Sequence, residues 1–376
     1  MAKKAYLGVN GVARQVKKMY FGISNTARKV KKGYIGVGGV ARPFFSSEEV
    51  EYYGAVTELS AARTRLVATT VGDYALFGGG QSSATTYSNA VDAYNTGLVR
   101  STPTALSAAR RYLAATTVGD YALFGGGYTS SGPSTIVDAY NLSLTRSTPT
   151  ALSAARSSLA AATVGDYALF GGGSASTAPS TIVDAYNTGL VRSTPTALSV
   201  ARRSLAAATV GDYALFGGGY LSSGPSTIVD AYNTGLVRST PTALSVARYS
   251  LAAATVGDFA LFGGGGLSLG HSAVVDAYNT GLVRSTPTAL SVARTDVAVV
   301  STGNYALFGG GASSSDVTAV VDAYNVSLTR STPNALSAAR TGLAAAIIGD
   351  YALFGGGGIE SSSTYSAVVD AYMVNN

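Results

Sequence analysis

The sequence predicts an all-β fold: a seven-bladed β-propeller closed by an N-terminal fourth strand and preceded by a small β-hairpin repeat arm. Three observations predict it. A unit of 46 or 47 residues recurs seven times, each unit divides into four short apolar runs, and the two chain ends hold complementary parts of one unit. Self-similarity at this period is the signature of a repeat architecture. Gly-Asp-Tyr-Ala-Leu-Phe-Gly-Gly-Gly, or a close variant, begins at Gly72, Gly119, Gly165, Gly211, Gly257, Gly303 and Gly349. Val-Asp-Ala-Tyr ends at Tyr94, Tyr140, Tyr186, Tyr232, Tyr278, Tyr324 and Tyr372. Leu-Ser-x-Ala-Arg ends at Arg63, Arg110, Arg156, Arg202, Arg248, Arg294 and Arg340.

The third unit shows how the elements follow. Residues 159–164 are an apolar run ended by Gly165-Asp166, a tight-turn pair. Residues 167–170 form a second run and stop at three glycines. After a Ser- and Pro-rich loop, residues 181–186 form a third run, ended by Asn187-Thr188-Gly189. Residues 190–194 give a fourth before Pro195. No stretch keeps a 3.6-residue period, and β-branched residues and Tyr concentrate in the runs. Helical repeats are therefore disfavoured, and four-stranded blades are favoured.

Closure follows from the ends. The last unit stops after its third run, while residues 50–57 align with fourth runs such as residues 99–104. An N-terminal strand is thus expected to complete the C-terminal blade, which removes an exposed sheet edge.

Residues 1–45 read as a separate basic arm, with the propeller over 46–376. The arm carries seven Lys and three Arg and no acid, whereas the remainder has no Lys and a net charge of −4. A 14-residue unit beginning at Tyr6, Tyr20 and Tyr34 places Asn10-Gly11, Ser24-Asn25 and Gly38-Gly39 at two-residue hairpin turns. Lys17-Lys18 and Lys31-Lys32 fall at the opposite turns, where they are solvated, so nucleic acid is not the expected partner. Such short strands bury too little to stand alone, and the arm is expected to dock on a partner or self-associate.

Two resemblances rest on these motifs. Arg, a strand, Tyr-x-x-Phe-Gly-Gly and Val-x-x-Tyr-Asn at this period resemble the kelch repeat over residues 48–376, although the Trp of its fourth strand is absent. Leu-Val-Arg or Leu-Thr-Arg stands there instead, which implies a thin outer edge. The Tyr-Ile-Gly-Val-x-Gly-Val-Ala-Arg unit of the arm resembles N-terminal segments of bacteriophage and prophage tail-appendage proteins.

The residue types exclude several chemistries. With no Cys there is no thiol nucleophile or thiolate metal site, and one His rules out a multi-His centre. The copper enzymes on kelch-like propellers need a Cys-modified Tyr and two His, and neither set is present. No catalytic residue, cofactor or metal is expected. No apolar run reaches the ~18 residues of a membrane span, and the N-terminus lacks an apolar signal core. The triple glycines lack the Lys-Ser/Thr of a phosphate loop and read as backbone turns. The repeated Asp92–Asp370 and Arg63–Arg340 series read as paired blade architecture.

Comparison of the units locates variation in two places. One is the residue pair after each blade Arg, including Arg65, Arg111, Tyr112, Arg203, Tyr249 and Asp296. The other is the loop after the glycines, bearing Gln81, Tyr87, Tyr128, Tyr220, His271, Asp316, Glu360 and Tyr365. In an antiparallel blade both open on one rim, and the nearly constant turns open on the other. That rim is the expected ligand-binding face, its Tyr, Ser, Gly and Arg resembling adaptable recognition surfaces. The expected protein is a non-enzymatic virion component made in the bacterial cytoplasm. Its rim contacts a host surface glycan or protein, and its arm contacts other tail proteins. A kelch protein-interaction scaffold and a carbohydrate-active enzyme are the alternatives.

Overall fold

The computed structural model describes residues 50–374 apart from 177 and 360–363, and the backbone of six strands between Tyr6 and Ser46. Among these residues every regular element is a strand. Seven four-stranded antiparallel sheets make the propeller. In the third, Ala160–Val164 pairs with Tyr167–Gly171, then Val183–Asn187, then the outer Arg192–Ser193. Val164 faces Tyr167 across the two-residue Gly165-Asp166 turn, with Gly165 at φ +50°. The outer strand is shorter than the residues 190–194 expected. Asn187 Oδ1 accepts from the Gly189 and Val191 amides and Leu190 sits at φ +60°, so the turn consumes those positions. Pro195 follows without an N–H to extend the ladder.

The ring closes as the chain ends predict. Val369–Val374 pairs with Val50–Val56, from Val374 opposite Val50 to Val369 opposite Val56. The register shifts once, between Ala371 and Tyr372. Inner strands of neighbouring blades pack against each other around the whole ring, the last against the first.

The core is divided among the blade interfaces. Val164, Leu169 and Ala185 of one blade meet Ala214, Phe216 and Tyr232 of the next. A Cβ on Gly171 would lie 2.7 Å from the Phe216 ring, and one on Gly172, at φ +66°, 2.7 Å from the Arg202 carbonyl. The triple glycine is thus a backbone corner that lets the next blade approach.

The repeated Arg and Asp form one buried connector per interface. Arg156 ends a linker whose backbone is tied to the second blade: its amide donates to Ser134 O at 3.1 Å and its carbonyl accepts from Gly127 N at 2.8 Å. Its side chain crosses to the third blade, donating to Gly172 O at 2.7 Å, Ile182 O at 2.8 Å and the Asp184 carboxylate. Asp184 also accepts from Arg192 at 2.9 Å and from the Ser153 amide at 3.0 Å. Burial pushes the Arg156 guanidinium below its ordinary value, and the Asp184 charge opposes that shift. In the closing blade Asp370 pairs with Arg340, and the Tyr52 hydroxyl donates to it at 2.7 Å in the place taken elsewhere by the outer Arg.

In the arm, Tyr6–Val9 pairs with Val12–Gln15, Met19–Ile23 with Thr26–Val30, and Lys32–Val37 with Val40–Ser46. The two-residue spacings fall where the sequence puts the turns. Lys32, expected in a turn, instead opens a strand opposite Ser46, because Phe44 and Phe45 prolong the partner strand.

Two outcomes are expected. Deleting residues 48–57 leaves the last blade with an exposed edge, so melting should occur at markedly lower temperature with aggregation; unchanged melting and solubility would contradict the closure. Alkaline pH should also destabilise the ring. Burial first, and the neighbouring aspartate next, push Tyr186 and its six equivalents above the ordinary phenol range, and Tyr52 up to about 12. A phenol raised in the folded state contributes stability that is complete below its unfolded value of about 10 and is lost as pH rises through the folded one. Melting temperature should therefore fall above about pH 10, with phenolate absorbance from these tyrosines appearing together with unfolding.

Candidate binding rim

The second residue of each variable pair sits at the start of an inner strand, beside the propeller axis. Arg65, Tyr112, Ser158, Ser204, Ser250, Asp296 and Gly342 all adopt left-handed backbone, with φ between +47° and +63°. Their backbones join in a chain around the axis. Arg65 N donates to Gly342 O at 2.7 Å, Ser158 N to Tyr112 O at 2.9 Å, Ser204 N to Ser158 O at 2.9 Å and Ser250 N to Ser204 O at 2.8 Å. Tyr112 N to Arg65 O and Asp296 N to Ser250 O continue it at 3.4 and 3.1 Å. The contacts use main-chain atoms, so the side chain at each seat is free to differ. The seven residues and the Leu or Val after each line an axial cavity of about 250 Å³.

The first residue of each pair reaches the loop after the glycines. Thr64 bridges Gln81, Arg111 bridges Tyr128, Arg203 bridges Tyr220, Tyr249 bridges Gly266 and Thr295 bridges Ala312. These bridges place both variable regions on one face, as the strand order requires. The expected rim residues gather there in unequal groups.

The densest group spans the first two blades. The Arg111 guanidinium lies 4.8 Å from the Tyr87 ring, 5.1 Å from Tyr112 and 5.8 Å from Tyr128, within cation–π range. Arg65 stacks on the other side of this group, 4.8 Å from Tyr112. Gln81 is buried, and its Oε1 accepts from Arg111, so it orients that guanidinium. A second group joins Arg203, 5.2 Å from the Tyr220 ring, to Tyr249, whose ring meets Tyr220 edge-on at 5.0 Å. Tyr249 lies over Gly266, which bridges the half-buried His271. In the sixth blade Asp296 and Asp316 are exposed and share a Ser-rich hollow of about 330 Å³. Tyr365 is half-buried in a short pair with Gly358, and Glu360 lies outside the described residues.

Sequence comparison placed Ser158, Ser204, Ser250 and Gly342 in the variable pairs without singling them out as ligand-binding residues; they complete the axial mouth. The available signal was their fixed place just before the Leu or Val of each inner strand. Among the described residues no three His, Asp or Glu side chains gather in a metal-binding cluster.

The opposite face is constant for a structural reason. The Gly165 turn lies under Thr234 of the next blade, where a Cβ would come within 3.1 Å of the threonine methyl. Thr209 Oγ1 donates to Thr163 O beside the axis, and Thr255 Oγ1 to Thr209 O. That face is interlocked side chain to backbone, while the axial seats of the variable rim are linked backbone to backbone.

The fold has a solved counterpart. The structure described as "Structure of YjhT" superposes with a TM-score of 0.60 at 12% identity, covering 74% of this chain and 99% of that one. At that identity the likeness is one of fold. No family model matches the chain, and no curated protein sequence matches it.

Proposed function

We propose that the chain is a non-enzymatic, kelch-type receptor-binding protein of a phage or prophage tail. Its variable rim binds a glycan on the host surface, and residues 1–45 anchor it to other tail proteins in the virion. The observation that carries the reading is the convergence of Arg65, Tyr112, Asp296 and three Ser side chains around one axial mouth, on seats whose backbone is the same in every blade. Tyrosine rings supply rigid apolar faces for sugar rings, and Arg and Ser supply donors for hydroxyl or acidic groups. Recognition spread over several blades suits weak individual contacts that act together. The arm supports the tail assignment through its 14-residue motif and its charge.

Binding of the purified protein to bacterial cells and to glycan arrays tests the reading. Tyr112→Gly with Tyr220→Ala should lower cell and glycan binding while melting changes little. Glycine keeps the left-handed backbone at residue 112, as Gly342 does at φ +63°. Retained binding in this variant, or its loss in a still-folded Asp166→Ala variant of the opposite face, would show the wrong face was chosen. Removing residues 1–45 should leave a folded propeller that still binds cells but no longer enters particles; unchanged incorporation would defeat the anchoring role.

A further inference from the structure

Arginine pairing in the propeller follows a rule with two clear exceptions. Thirteen of the sixteen arginines beyond residue 45 pair with a blade aspartate, seven of them at the blade interfaces and six on outer strands. Arg111 and Arg203 pair with no carboxylate among the described residues. Both are half-buried on the variable rim, so each is a held cation whose counter-charge is not supplied by a blade.

The two also share one local architecture. Each is the first residue after a blade Arg, and each exchanges two backbone hydrogen bonds with the tyrosine that follows a triple glycine. Arg111 N donates to Tyr128 O at 3.1 Å and Tyr128 N to Arg111 O at 2.7 Å; Arg203 and Tyr220 repeat both distances. Each guanidinium then lies over that tyrosine's ring, with a further aromatic close by: Tyr87 and Tyr112 at the first site, Tyr249 at the second. Other blades do not rebuild the pair, because Ser157, Thr295 and Thr341 stand at its Arg position. The acidic groups Asp296 and Asp316 lie in the sixth blade, where they share a Ser-rich hollow.

We infer that these are two equivalent subsites, on the second and fourth blades, for the carboxylate-bearing sugars of an acidic polysaccharide. This rests on the glycan reading above and names its chemical class. A planar guanidinium takes a carboxylate through paired N–H donors, and its fixed fork favours that geometry. The adjacent tyrosine face takes the apolar side of the same sugar ring. A sugar acid presents both features on one rigid ring, whereas a Glu or Asp side chain presents only the carboxylate.

The test uses the full-length protein with trigalacturonate and its carboxyl-reduced neutral counterpart as probes, in calorimetry at two salt concentrations. Two trigalacturonate sites are expected, falling to one in Arg111→Gln or Arg203→Gln and to none in the double variant. The neutral probe should bind about ten-fold or more weakly, the loss expected for a charge-assisted hydrogen bond. Arg111→Lys, which keeps the charge without the fork, should fall between wild type and Arg111→Gln, and thermal melting controls for folding. Trigalacturonate binding that survives the double substitution overturns the inference, as does equal binding of the neutral probe. If the Arg variants keep glycan binding while Tyr112→Gly with Tyr220→Ala loses it, the rim reading stands and the acidic class falls. Equal or tighter binding of oligoglutamate overturns the sugar assignment in favour of an acidic peptide.

Discussion

The structure depends on one buried connector, the guanidinium that leaves the backbone of one blade and ends on the aspartate of the next. Hydrophobic packing alone would let two sheets slide, because Ala, Val and Leu contacts carry little direction. Arg156 removes that freedom by donating to two carbonyls and a carboxylate of the neighbouring blade while its own backbone is fixed in the preceding one. Asp184 is satisfied in turn by Arg192 and the Ser153 amide, so the buried charges have good partners on both sides. Breaking such a pair from one side costs about 3–5 kcal/mol, since the remaining charge is stranded. A ring has no spare interface. The closing blade therefore rebuilds the connector with Tyr52 from the N-terminal strand, where the outer Arg would otherwise stand.

Most of the fold was legible because the constraints repeat. Seven copies of one pattern give the blade count, the unmatched ends give the closure, and glycine triplets mark corners where only hydrogen fits. Strand length was less legible. Leu190 reads as a β-former in isolation, yet the Asn187 turn requires it at positive φ. Local side-chain capping overrode propensity there, and a periodicity argument contains no term for it. Lys32 was misplaced for a related reason: pairing length depended on Phe44 and Phe45 of the other strand, outside the local turn pattern.

The rim was legible as a face, since strand order fixes which loops share a side. Its internal arrangement was not. That Gln81 is buried and holds Arg111, or that Tyr112 receives guanidinium groups from both Arg65 and Arg111, depends on three loops from two blades meeting. The axial ring was hidden for another reason. Its members share a conformation rather than a residue type, running from Ser and Asp to Tyr and Gly.

That ring changes what the variation means. The constant face is held by side chains, with Thr234 over Gly165 and threonine hydroxyls on neighbouring carbonyls, so substitutions there disturb blade contacts. The axial seats of the variable face are linked by main-chain bonds, which tolerate any residue able to take the left-handed backbone. One-sided variation is therefore what the fold permits, and by itself it does not distinguish drift from recognition. The occupants do. Left-handed seats favour Gly and Asn, and other L-residues there cost roughly 1–2 kcal/mol each. Gly342 shows that a seat accepts glycine, yet Arg65, Tyr112 and Asp296 fill equivalent seats with large or charged groups. Tyr112 then carries its ring into the cluster that cages Arg111. These side chains, gathered around an arginine that pairs with no carboxylate among the described residues, are what the proposed recognition role rests on.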